Sequence, residues 1–478
     1  MNRKLILNIL GFLLLTEAGA LLICTGVALY YGEGSAPGLA ITAALAGGIG
    51  ILLSRLKANS TKVGYREGFV IATLGWLTMA AFGALPFVIS GFLSPIDAIF
   101  ESMSGFTTTG ASVITNVEAL PRGIMFWRCF TQWFGGMGTI VLILALVPSL
   151  KIAGMSLFRA EVPGPTKDKV LPQITQTSRE LYKVYIIISA AEVVALKIAG
   201  LPWYDSFIHT FTTVSTGGFS NQGASIASYN SVAVDLIIVF FMVVGGISFA
   251  LHHYWLHGNF APLWKDFETK VYLGILGVGT ILIAINLIQS LGYNPVQAAR
   301  YALFQVASIT TTTGFATADF DAWPDFSRLL LLLLMFFGGC AGSTAGSIKI
   351  ARIIILFKYA VRQMSKLFHP RAIIPVRLGN KVVDKDALAN VQAFFYTFIS
   401  IFALGAVIMT ALGLDLITSI SAVAACITNV GPGLALVGPM ANYAAVPDLG
   451  KLVLSFCMLV GRLELFTVLL LFTPRFWK

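Results

Sequence analysis

The stretch "ITTTTGFAT", residues 309–317, sets four consecutive threonines and a glycine between two apolar runs. Three cousins occur elsewhere: "FTTTGAS" around Gly110, "TVSTGGFS" around Gly217 and "ITNVGPG" around Gly431. Aligned with Gly314, these glycines lie 107, 97 and 117 residues apart. Ten residues before the first three stands a phenylalanine, Phe100, Phe207 or Phe304, and the fourth copy has Ser421 there. Each intervening segment is too short to cross ~30 Å of hydrocarbon; it predicts a helix of two to three turns followed by an extended strand. Downstream come "WFGGM" (133–137), "VVGGI" (243–247), "FFGGC" (336–340) and the degenerate "LVGRL" (459–463); the second glycines of the first three and the single Gly461 of the fourth are offset by 26, 29, 25 and 30 residues. The likeness therefore runs along four whole units and marks an internal repeat.

The surroundings are those of a membrane chain. Of 478 residues, 57% are hydrophobic and 11% charged, and the mean hydropathy is +0.83, beyond the range of soluble domains. Apolar runs near 5–31, 38–54, 68–90, 124–150, 184–201, 232–251, 271–291, 329–357, 391–414 and 449–473 give ten candidate spans. The first follows Asn2, Arg3 and Lys4, but it is longer than a signal-peptide core and has no clean small-residue cleavage site, so it reads as a membrane helix. One set of loops carries Arg55, Lys57, Lys62 and Arg66, then Lys151, Arg159, Lys167, Lys169 and Arg179, then Lys265 and Lys270, then the basic stretch 358–385. The opposite set is nearly bare and holds Asp319, Asp321 and Asp325. By the positive-inside rule both termini are cytoplasmic. That asymmetry accounts for the net charge of +10, which leaves no nucleic-acid partner to invoke and is compatible with anionic lipid heads.

A non-helical loop at membrane depth survives only inside protein or along a watery cavity, because lipid cannot satisfy its N–H and C=O groups. Four such loops in one chain can enclose a path with pseudo-fourfold geometry. Glycine suits a turn that aims successive carbonyls at an axis, threonine adds hydroxyls or braces the strand from behind, and rings of carbonyl oxygen can replace a hydration shell. A short helix ending at such a loop presents about −0.5 of a charge to a cation. The predicted cation filter is Thr108, Thr109 and Gly110; Ser215, Thr216 and Gly217; Thr312, Thr313 and Gly314; Asn429, Val430 and Gly431. The ion is held at backbone carbonyls alone.

Two further places stand out. Arg462 is charged at membrane depth, which by default suggests function; it is taken as the counterpart of Met137, Ile247 and Cys340, with an ion pair to Glu464 as the structural alternative. The stretch 338–346 holds Gly338, Gly339, Gly342 and Gly346 with Ser343 and Thr344, and Lys349 follows. Glycine costs roughly 1 kcal/mol in a helix interior, so this run predicts a break, the only one of its kind among the second helices, and hence a gate. Glu17, Glu192 and Lys197 are expected to make interhelical contacts. His253 and His257 are four apart, but no third ligand completes a metal site, and the five cysteines read as reduced packing residues.

On the four filter glycines, the two additional N-terminal helices, "GGCAGSTAGSIK" (338–349) and "GRLE" (461–464), the chain resembles the Trk/Ktr/HKT superfamily of potassium transporters, in its bacterial TrkH/TrkG branch. The resemblance covers the whole chain. It implies an all-α polytopic protein of ten transmembrane helices: two N-terminal helices (1–66) and four pseudo-symmetric helix–pore loop–helix repeats (67–155, 180–258, 268–365 and 386–478) around one ion pore. It further implies potassium as bound substrate with no cofactor in this chain, location in the bacterial inner membrane, a homodimer, and a cytoplasmic nucleotide-binding regulatory ring like TrkA. It also implies that Arg462 faces the conduction path. Glycine at all four filter positions resembles the potassium-selective members, since plant relatives with serine in the first repeat favour sodium. No "TVGYG" is present, so selectivity is expected to be less strict than in potassium channels.

Two other functions remain open. A proton- or sodium-coupled symporter is one, although such folds commonly use inverted repeats, whereas units of two spans and a loop keep one orientation. A membrane-embedded enzyme is the other, but no catalytic motif is present.

Overall fold

The computed structural model describes residues 1–56, 64–138, 174–379 and 381–477. The long first-repeat run beyond 138, together with Lys57, Lys62, Lys151, Arg159, Lys167 and Lys169, lies outside the described residues.

Two helices open the chain, α1 (Arg3–Tyr30) and α2 (Ala36–Ser54). They pack backbone to backbone: a Cβ on Gly11 would lie 2.5 Å from Ser54 N, and one on Gly50 would lie 3.0 Å from Gly11 O. Small residues drive this approach where lipid supplies no hydrophobic push.

Thereafter one order of elements recurs: a long helix, a short helix, a loop and a second helix. The first set is α3 (Tyr65–Ile89), α4 (Pro95–Phe106) and α5 (Arg122–Gly136). The second is α6 (Ile174–Ile198), α7 (Trp203–Val214) and α8 (Val232–Gly245), with α9 (Phe249–Leu256) behind it. The third is α10 (Phe267–Leu291), α11 (Pro295–Thr310) and α12 (Asp325–Leu334), then α13 (Ile350–Phe368). The fourth is α14 (Lys385–Ala411), α15 (Leu416–Ile427) and α16 (Asp448–Arg462), then α17 (Leu465–Leu469). The short helices start on local signals. Ser94, Asn294 and Asp415 cap the N-termini with side-chain oxygens, and prolines occupy the first turns of α4 and α11, where a missing N–H costs nothing.

Among the described residues five helices are long and apolar enough to cross a membrane, or seven if each sharply bent pair is one span. The predicted continuous spans 232–251 and 449–473 are corrected here: both break, as the third unit does where its glycine run predicts. α8 and α9 meet at 105°, α16 and the segment Leu465–Phe472 at 118°, and fifteen residues, 335–349, separate α12 from α13. The break in the third unit is thus unusual in its length, not in its existence. In the second and fourth units a glycine pair or its remnant sits at the break, where the second helix rests on the end of a short helix, and Gly135 makes the same contact in the first unit. A Cβ on Gly135 or Gly461 would overlap the carbonyl of Phe106 or Ile427, and one on Gly245 would lie 3.4 Å from Val214 O.

α13 leads into a small antiparallel hairpin, Arg377–Leu378 with Lys381–Val382, in the basic stretch before α14.

Candidate functional site

Each short helix ends in the same way. After the caps Thr107, Ser215, Thr311 and Thr428 comes a residue with left-handed backbone: Thr108 (φ 52°), Thr216 (φ 56°), Thr312 (φ 58°) and Asn429 (φ 56°). The following amide turns back to the helix, Thr109 N to Ser104 O, Gly217 N to Thr212 O, Thr313 N to Ser308 O and Val430 N to Ala425 O, at 2.8–2.9 Å. This is a Schellman ending with threonine or asparagine where glycine is usual. A side chain in that conformation costs about 1–2 kcal/mol, and strain of this kind persists only where surrounding structure enforces it.

The next residue in each loop is a positive-φ glycine: Gly110 (81°), Gly218 (77°), Gly314 (83°) and Gly431 (99°). In the second loop this corrects the sequence alignment by one position. Gly218, not Gly217, is the counterpart of the other three glycines, and Gly217 corresponds to Thr109, Thr313 and Val430. The four glycines close a ring. A Cβ on Gly110 would overlap Gly217 O, one on Gly218 would overlap Thr313 O, one on Gly314 would overlap Val430 O, and one on Gly431 would lie 2.5 Å from Thr109 O. Each loop thus seats its glycine against the carbonyl that precedes the glycine of the next loop, and the fourth returns to the first.

The threonines divide into two roles. Thr107 and Thr109 share a 2.8 Å hydroxyl contact and Thr311 and Thr313 one of 2.7 Å, while Thr107, Thr311 and Thr428 donate to carbonyls one turn back; these brace the loops from behind. Thr108 Oγ1 and Ser215 Oγ are buried with no hydrogen-bond partner among the described residues. Between loops, Asn429 Nδ2 donates to Thr109 Oγ1 at 3.0 Å.

Several supporting residues carry no sequence signal. Gln132 clasps the second loop, Nε2 donating to Gly217 O at 2.7 Å and Oε1 accepting from Phe219 N at 3.0 Å. Tyr443 donates to Gly431 O at 2.7 Å. Glu101 and Arg128 form a buried ion pair of 2.6 Å. Glu101 also accepts from Ser112 Oγ and Val113 N, Arg128 donates to Ser220 O, and its guanidinium lies 3.6 Å from the centre of the Phe219 ring. The pair stitches the chain leaving the first glycine to the chain leaving the second. Arg128→Leu would strand a buried carboxylate at a cost of about 3–5 kcal/mol. We expect a markedly lower thermal midpoint in detergent and partial recovery in the double variant with Glu101→Leu; a midpoint unchanged by the single substitution would contradict this support.

Two cavities flank the ring. One of about 240 Å³ is lined by all four positive-φ glycines and by residues that follow them, including Ser112 and Tyr443. The other, about 80 Å³, is lined by the ends of the second helices of the first and fourth units and by the long break, including Gly136, Gly346, Lys349, Arg462 and Glu464.

The break folds into a plug. Gly338 N donates to Ile348 O, and Ile350 N to Gly339 O, so its two ends pair. Its middle reaches the loop of its own unit and two neighbouring units. Gly346 N donates to Thr312 Oγ1 at 2.7 Å, a Cβ on Gly346 would lie 2.7 Å from Thr428 O, and Thr344 Oγ1 donates to Val214 O and Gly245 O. Gly342 has φ 78° and its carbonyl accepts from Phe249 N. Lys349, 1% exposed, donates to Ala345 O and lies 3.5 Å from Ser343 Oγ.

Arg462 donates to Thr344 O at 2.7 Å, Gly135 O at 2.7 Å and Gly136 O at 2.8 Å. The expected pairing with Met137, Ile247 and Cys340 is corrected. Gly461 sits against Ile427 O as Gly135 sits against Phe106 O, so Arg462 stands in the place of Gly136, Gly246 and Gly339, and Leu463 opposes the other set. Glu464 pairs with Arg352 at 2.7 Å. Of the three ionisable residues expected between helices, Lys197 lies 5.5 Å from the Trp203 ring centre, Glu192 is fully buried on α6, and Glu17 is buried with neither oxygen hydrogen-bonded among the described residues. The structure also brings a carboxylate to the histidine pair, Glu180 lying 3.9 Å from His253, although the described residues contain no group of three candidate metal ligands.

The chain is similar over its full length to known proteins. It is 38% identical over 483 residues to the Trk system potassium uptake protein TrkH of Halomonas elongata, with 100% of both chains covered. It is 38% identical over 486 residues to TrkH of Escherichia coli K12, again with 100% of both covered. With TrkG of that strain the identity is 35%, over 88% of this chain and 87% of the relative. The crystal structure of the potassium transporter TrkH from Vibrio parahaemolyticus superposes with a TM-score of 0.90 at 36% identity, covering 100% of each chain. These relatives and the apolar helices mark a multi-pass membrane protein, and with the TrkH family model matching residues 39–478, the chain belongs to the TrkH family of cation transport proteins.

Proposed function

We propose that this protein takes up potassium across the bacterial inner membrane through a channel-like pore whose filter is the ring of four loops. The observation that carries this reading is the closed ring itself: Gly110, Gly218, Gly314 and Gly431, each against the carbonyl preceding the next loop's glycine. Backbone oxygens brought together by four helix ends, with about −0.5 of a charge at each end, suit a partly dehydrated monovalent cation. The names of the relatives as potassium uptake proteins support potassium as that cation.

In this reading the chain has ten membrane helices, two at the N-terminus (1–66) and eight in four repeats (67–155, 180–258, 268–365 and 386–478) around one axis, with both termini cytoplasmic. Two copies form a homodimer, and a cytoplasmic nucleotide-binding ring regulates it. The gate is the segment 338–349 with Arg462. The segment bridges the ring, the second unit and Arg462, and α13 continues from it into the basic region carrying Lys358 and Arg362, where a soluble partner can pull. Removing residues 341–345 therefore raises basal flux.

Cation flux into liposomes containing the purified chain alone tests the function. Potassium and rubidium are expected to enter well and sodium poorly; equal potassium and sodium permeability overturns the filter. A proton- or sodium-coupled symporter would instead show potassium uptake that follows an imposed proton or sodium gradient.

A further inference from the structure

Glu268 occupies the first turn of α10, is 9% exposed and belongs to none of the four loops. Its Oε1 accepts two backbone amides, Ala341 N at 2.9 Å and Ala351 N at 2.9 Å. These two residues bracket the plug: Ala341 enters it, and Ala351 is the second residue of α13. Ala351 N is one of the amides that a helix start leaves without an internal partner, and a carboxylate there also meets the positive end of the helix dipole. One oxygen on a neighbouring helix thus ties the entrance of the plug to the beginning of the helix that leaves it.

We propose that Glu268 is the latch that holds the plug beneath the ring, a positioning residue for the gate. The inference rests on the gating role given above to 338–349. Carbonyls and amides inside the plug hold its shape, since Gly338 N with Ile348 O and Ile350 N with Gly339 O would move with it. Glu268 is instead anchored on α10, so a shift of α13 along its axis draws Ala351 N away from Oε1 and releases both amides together. The closed state is favoured while both bonds stand. Any force that reaches α13 from the cytoplasmic side acts first on this contact.

Cation flux of the purified full chain in liposomes, measured with rubidium, reads the latch. Glu268→Ala removes both bonds to a charged acceptor and is expected to raise basal flux roughly tenfold, with the rubidium-to-sodium ratio unchanged. Glu268→Gln keeps an acceptor oxygen at the same reach and should restore most of the low basal level, a rescue that a purely structural defect would not show. Should the alanine variant fail to fold, Glu268→Asp carries the test: it keeps the charge but is one methylene short of bridging both amides, and flux should rise as for alanine. In the chain lacking 341–345, Glu268→Ala should add nothing. The latch is overturned if alanine or aspartate leaves flux at its original level while the deletion raises it, or if glutamine raises flux as much as alanine does. If the deletion leaves basal flux low as well, the gating role of the segment itself falls.

Discussion

Gly218→Ala is expected to cost far more selective potassium flux than Gly217→Ala. The two glycines are adjacent, but their surroundings differ in kind. At Gly218 the backbone is left-handed, φ 77°, where a Cβ costs about 1–2 kcal/mol by itself, and the new atom would overlap the backbone carbonyl of Thr313. That carbonyl belongs to the third loop and cannot move without opening the ring. At Gly217 the backbone is not left-handed, and the added Cβ would meet the amide end of Gln132, whose displacement loosens its clasp on the loop but leaves the ring's backbone in place. We therefore expect a fall of at least tenfold in rubidium uptake, or loss of its preference over sodium, for Gly218→Ala. The Gly217 variant should retain more of both. The opposite order would place the second loop's critical glycine at 217 and undo the ring as described.

Arg462→Ala is expected to raise basal flux about tenfold without changing which ion passes. The guanidinium holds the plug through Thr344 O and the first unit through Gly135 O and Gly136 O, and hydrogen bonds to a charged group are worth roughly 1.5–3 kcal/mol each. Its removal also takes a fixed positive charge from the wall of the cavity beneath the ring, where poor screening makes such a charge costly to a passing cation. Lysine separates the two effects, because it keeps the charge but cannot present a rigid fork to three carbonyls. Arg462→Lys should fall between the native and alanine proteins. Flux unchanged in a folded Arg462→Ala protein would assign the side chain to structure alone.

The recurrence of the four loops was legible in the sequence because their determinants are local. A short apolar helix and a glycine at the turn are written within about twenty residues at each copy, and three of the four copies add an N-cap oxygen from Ser94, Asn294 or Asp415. The break at 338–346 was legible for the same reason: clustered glycines weaken a helix wherever they stand.

What only the tertiary structure decided were matters of contact. In "STGGFS" two adjacent glycines carry no Cβ to tell them apart, and the choice of Gly218 follows from ring closure against Thr313 in another unit. Runs such as 232–251 and 449–473 read as single spans because hydropathy ignores direction, yet each bends where its glycine meets the end of a short helix. Arg462 was visible as a charge, but its place opposite Gly136 came from Gly461 resting on Ile427 O. Glu101 with Arg128, Gln132 with Gly217 and Glu268 with Ala341 and Ala351 join positions 27, 85, 73 and 83 residues apart. Such pairings leave no period or spacing in the chain, since the partners are chosen by packing in three dimensions, and a buried polar group takes whichever partner the fold brings within reach.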